Sequence, residues 1–130
     1  MAINSEQFSV NVKGEVSGEQ YAGVFKTKLR LSHRDQLRMD QVRRELLGDH
    51  ADSASPRAQN QADVFSVLAI HLVGDVPKWW EGSNGGLDLE DDNVIAAVYE
   101  GVMKAKADAI KAIKGEAEEA KKELAKAKAE

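Results

Sequence analysis

Both tryptophans of the chain, Trp79 and Trp80, stand side by side in Pro77-Lys78-Trp79-Trp80-Glu81-Gly82-Ser83-Asn84-Gly85-Gly86, just ahead of the acids Asp88, Glu90, Asp91 and Asp92. Adjacent indoles on a connection present large amphipathic surface, which serves either to clamp two helices together or to hold another protein. The acids could attract Ca²⁺ or Mg²⁺, but they lack the oxygen spacing of a calcium loop, and Gly85-Gly86 precede them instead of dividing them. They suit the positive end of a helix dipole, so no metal site is expected. Residues 82–86 lack the lysine and strand context of a phosphate loop and read as a tight turn. His33, His50 and His71 each stand without a second histidine or a cysteine at ligand spacing. No nucleophile with its base, paired carboxylates or cofactor loop forms a local pattern, so neither enzymatic activity nor a cofactor is expected.

A second chemical feature is the run of arginines Arg34, Arg38, Arg43 and Arg44, set among Asp35, Asp40 and Glu45. It reads either as a solvated, ion-paired helix face or as a docking face for an acidic partner.

The bulk properties narrow the partners. With 130 residues and a net charge of −4, the chain fits one domain with a modest core. Residues 104–130 hold eight lysines against six acids, leaving −6 on residues 1–103. A domain of that sign has no basic field to draw in nucleic acid. The absence of cysteine suits a reducing cytosol. No apolar run approaches a membrane span and the polar start lacks a signal-peptide core, so the expectation is a protein that stays where it is made, away from membranes.

The elements that would position these residues follow from periodicity. Phe8, Val10 and Val12 alternate with polar residues, as do Tyr21, Phe25, Leu29 and Leu31, and Ser17-Gly18-Glu19-Gln20 supplies a turn. Residues 7–31 therefore read as an antiparallel hairpin, which must cover helices or join another sheet to be stable. A first helix spans about 33–47, with Ser32 and Asp35 as a capping box, Met39, Val42 and Leu46 as its buried stripe and Gly48 as its stop. After a polar linker, Ser55-Pro56 opens a second helix over about 56–73, with an apolar seam at Ala58, Ala62, Phe65, Ala69 and Leu72. The third covers about 90–103, with Val94, Ile95, Val98, Tyr99, Val102 and Met103 on its apolar face. The fold class is α+β: residues 1–103 form one domain of a two-stranded hairpin and three helices, and residues 104–130 extend the last helix as an Ala/Lys/Glu-rich arm. Ile110, Ile113, Ala117, Ala120, Leu124 and Ala127 recur in that arm at spacings of three and four, like a short heptad seam. Its alanine content favours a solvated single helix over a stable coiled coil, and Gly115 is an expected interruption.

Residues 26–47, with the entry Leu31-Ser32-His33-Arg34-Asp35 and exit Arg43-Arg44-Glu45-Leu46-Leu47, are followed by Pro77-Lys78-Trp79-Trp80, Gly86-Leu87-Asp88-Leu89 and Asp92-Asn93-Val94-Ile95. Together these resemble small proteins of tailed-bacteriophage structural clusters, and among them are most similar to the tail assembly chaperones. That resemblance implies a non-enzymatic helical protein in the host cytoplasm that holds tape-measure and tail-tube proteins before polymerisation, and that can carry a frameshifted extension. Trp79, Trp80, Arg34, Arg38, Arg43 and Arg44 would then bind the partner. A hairpin with a protruding helix also suits a virion component, such as a capsid decoration, neck, connector or baseplate protein, and self-association is open in either case.

Overall fold

The computed structural model describes residues 4–129, the side chains of residues 50, 51 and 127–129 excepted. Strands β1 (Ser5–Lys13) and β2 (Gln20–Lys28) form the hairpin, in a register that sets Phe8 against Phe25, Val10 against Gly23 and Val12 against Tyr21. Side chains alternate across the strands, so all of these residues fall on one face. Phe8 and Phe25 stack there with ring centroids 5.5 Å apart.

Helix α1 (His33–Leu47) opens on the capping box expected of it: Ser32 Oγ accepts from the Asp35 amide at 3.1 Å and Asp35 Oδ2 accepts from the Ser32 amide at 3.2 Å. A 3₁₀ turn over Gly48–Ser53 leads to α2 (Pro56–His71), whose N-cap Ser55 accepts from the Ala58 amide at 3.1 Å. Here the chain departs from its pattern. Leu72 and Val73 leave the helix and pair with Thr27 and Lys26 of β2 as β3 (Leu72–Val73), making a three-stranded antiparallel sheet of order β1-β2-β3. A one-turn helix, α3 (Lys78–Gly82), then carries both tryptophans, and α4 (Asp92–Ala129) runs unbroken through Gly115.

The core lies between the inner sheet face, α2 and the first half of α4. Val94, Val98 and Val102 of α4 are fully buried, as is Phe25 opposite them, with Leu68 and Trp80 completing the layer. The last turns of α2 are enclosed on several sides, so Leu68, Ile70 and His71 are buried while Ala69, expected in the seam, is exposed. Helix α1 has no buried residue, and Leu46 of its expected buried stripe is 39% exposed. No helix is long and apolar enough to cross a membrane among the described residues.

Asp91 fixes the hairpin to α4. Its carboxylate is fully buried, and Oδ1 accepts the backbone amides of Val16 at 2.6 Å and Ser17 at 2.9 Å while Oδ2 accepts the Ser17 hydroxyl at 2.6 Å. Asn93 adds two bonds to the same turn, accepting the Glu15 amide and donating to the Lys13 carbonyl. A Cβ on Gly14 would stand 2.4 Å from the Asp91 carboxyl carbon, so only glycine lets the carboxylate enter. The acid cluster thus has a different use from dipole capping at this position. The bonds from the Ser17 side chain and amide, with that from Val16, hold the carboxyl below its ordinary value. Asp91→Ala should therefore lower the melting temperature and speed hydrogen exchange at the Val16 and Ser17 amides, because both amides and the Ser17 hydroxyl lose their acceptor. Asp92→Asn, an exposed neighbour, should change neither quantity; equal effects from the two variants would remove the lock.

Candidate functional site

Trp79 and Trp80 occupy consecutive positions of α3 and do different work. Trp80 points inward and is 4% exposed, meeting Phe25 edge-on with centroids 5.4 Å apart. Trp79 is half-buried, packs edge-on against Tyr21 at 5.0 Å and Phe25 at 5.7 Å, and donates its Nε1–H to the Ala22 carbonyl at 3.0 Å. That carbonyl belongs to the edge of β2 that β3 leaves uncovered, because Ala22 faces Asn11 at a position where the β1–β2 ladder directs its bonds outward. Pro77 lies flat on the same stretch: a Cβ on Gly23 would meet its ring carbon at 2.3 Å. Trp79 therefore takes up an outward carbonyl of the sheet edge that the hairpin would otherwise expose, while Pro77 covers the sheet face at Gly23.

Trp80 also floors a groove of about 400 Å³, walled by Val42 and Leu46 of α1, Phe65 and Leu68 of α2, and Leu87 of the connection to α4. The groove exists because α1 rests on α2 without sinking into it. Besides its packing on α2, α1 is tied by two ion pairs: Lys28 bonds Asp35 at 3.1 Å where the strand ends, and Arg43 pairs with Asp63 of α2. The Lys28 ammonium, then the Ser32 amide, hold the Asp35 carboxyl below its ordinary value. Open apolar side chains flank the opening, with Leu46 39% and Leu87 48% exposed.

The arginines do not act as one face. Arg43 and Arg44 line a separate polar recess with Gly48, Asp52 and Gln59, and Arg44 pairs with Asp40 at 3.0 Å. Arg34 and Arg38 are exposed and make no ion pair among the described residues, and Arg38 stands one helical turn before Val42 of the groove wall. The indoles and the arginines thus meet only through α1: Trp80 shares the groove with Val42 and Leu46, while Trp79 faces the sheet.

Periodicity gave no sign of the pair formed by His71 and Lys106. His71, 2% exposed, donates Nδ1–H to the Val67 carbonyl at 2.7 Å, which leaves Nε2 to accept from the Lys106 ammonium at 2.8 Å. Burial, reinforced by the nearby ammonium, pushes the imidazole below its ordinary value, and burial lowers Lys106 as well. Neither residue lines the groove. His33 is exposed, and the side chain of His50 lies outside the described residues. Among the described residues, no group of three His, Asp or Glu side chains is placed to hold a metal ion.

No protein-family model, curated protein or solved structure matches the chain.

Two expected outcomes follow from this geometry. Trp80→Ala should cost about 3 to 5 kcal/mol in urea unfolding, the penalty for removing a buried aromatic. Trp79→Ala should cost about 1 to 2 kcal/mol, for one hydrogen bond and part of a ring contact; equal losses would contradict the division of labour. The second concerns acid. A histidine held neutral in the folded state contributes stability above its ordinary value of 6.5 and loses it as pH falls below that value. The urea midpoint should drop from pH 7 to about pH 5.5, above the range where carboxylates titrate, and His71→Gln should flatten that slope.

Proposed function

We propose that this chain is a non-enzymatic assembly protein of a tailed phage, a tail assembly chaperone that holds an apolar segment of a tape-measure or tail-tube protein in the groove between α1 and α2. The observation that carries the reading is the groove itself. A helix with an apolar stripe but no buried residue leaves Val42 and Leu46 beside Trp80, and such a trough takes the apolar face of a client helix. Arg34 and Arg38, exposed and without an ion pair among the described residues, favour a client with acids beside its apolar residues. The resemblance of residues 26–47 and of the tryptophan segment to phage assembly chaperones supplies the client class. Binding without chemistry is the stronger class because the buried titratable groups are spent on structure: Asp91 on the hairpin turn and His71 on Val67 and Lys106.

The projecting arm favours a second reading, a permanent virion component, since residues 111–126 are all exposed and reach away from the domain. Co-expression with the tape-measure and tail-tube proteins of the same phage separates the two. The chaperone reading expects a soluble complex that is lost in Leu46→Asp, with thermal unfolding of the variant alone nearly unchanged because that side chain is already 39% exposed. Stoichiometric recovery of the chain from purified particles would instead establish the virion component.

A further inference from the structure

We infer that the arm of α4 is a self-association surface, on which a second copy of this chain pairs in parallel as a two-stranded coiled coil. Beyond the domain, Ile110, Ile113 and Leu124 are 51%, 50% and 61% exposed, and none belongs to the hydrophobic core or packs against it among the described residues. They share one stripe with Ala117 and Ala120, at the a and d positions of a heptad repeat that starts at Ile110. The charges that flank the stripe identify what covers it. In this register Lys114, Lys121 and Lys128 take the e positions, and Glu116 and Glu123 take the g positions.

A parallel pair brings each g residue against the e residue five positions later in the other chain. Glu116 then meets Lys121, once in each direction. An antiparallel pair would instead set g against g and e against e, glutamate facing glutamate and lysine facing lysine. The charge order therefore selects a second copy and its direction together. Gly115 falls at f, the position farthest from the seam, with nothing within 4 Å of where its Cβ would be, so it costs the interface no contact. Alanine at Ala117 and Ala120 lets the helices approach closely but buries little area, so the association is reversible and concentration-dependent.

Sedimentation equilibrium of the full chain tests the pairing. The expected result is a monomer–dimer equilibrium that Ile110→Glu abolishes, while the thermal unfolding of the domain is unchanged. Lys121→Glu should weaken the dimer about tenfold, and adding Glu116→Lys should restore it, since the double swap rebuilds opposite charges between chains. Because the chain has no cysteine, Leu124→Cys reports direction: with added copper–phenanthroline as oxidant, the two introduced thiols meet and form a covalent dimer in a parallel pair, whereas in an antiparallel pair each faces Ile113 of the other chain. A chain that stays monomeric at millimolar concentration would overturn the inference. So would association indifferent to Ile110→Glu, failure of the double swap to restore affinity, or an absence of the covalent dimer.

Discussion

The buried carboxylate of Asp91 is the contact on which the arrangement of sheet and helix depends. A two-stranded hairpin is marginal alone, and its turn over residues 14–19 presents amides that need acceptors. Asp91 supplies them from the start of α4, where the same residue's carbonyl accepts the Val94 amide at 3.1 Å. One residue thereby fixes the position of the turn and the first turn of the helix. With that end pinned, Val94, Val98 and Val102 fall in line along the inner face of the sheet. A buried anion without these donors would be strongly unfavourable, so the hairpin turn and the helix start require each other.

At the other end of the domain the aromatic residues govern. Trp80 and Phe25 meet edge-on in the core, while Trp79 caps an outward carbonyl of β2 beyond the reach of β3. The burial of Trp80 has a second effect, because one side of its ring remains the floor of the groove beneath α1. The stripe of α1 is only partly covered, with Met39 and Val42 half-buried and Leu46 39% exposed beside that ring. With no fully buried residue, and with ion pairs from Asp35 to Lys28 and from Arg43 to Asp63, α1 is the more easily opened part of the domain.

Elements built on repeated local signals were legible in the sequence. Alternation gave the hairpin, Ser32 with Asp35 and Ser55 with Pro56 gave two helix starts, and the valines gave α4. Leu72 and Val73 were read as the end of α2 because an apolar pair fits a helix as well as a strand, and only pairing with Lys26 and Thr27 distinguishes them. Helix α3 is a single turn, too short for periodicity to register. Gly115 does not break α4, since one glycine in a run of alanine, lysine and glutamate is outweighed by its neighbours. The groove was hidden for a different reason: Met39, Val42 and Leu46 make a proper helical stripe, and spacing alone does not say whether a stripe is covered. His71 with Lys106, and Asp91 with Ser17, join residues from distant segments, so neither leaves a local trace.

The span of the Asp91 contact also orders the life of the chain before it is folded. Ser17 and Asp91 lie 74 residues apart, so the hairpin is synthesised long before the carboxylate that holds its turn. During that interval Phe8, Val10 and Phe25 form an apolar face with no α4 to cover it. Contacts of such sequence separation must repay loop closure before they stabilise anything, which slows folding. A chain cut before Asp91 keeps Phe8, Val10 and Phe25 without their cover, and uncovered apolar surface of that kind promotes aggregation.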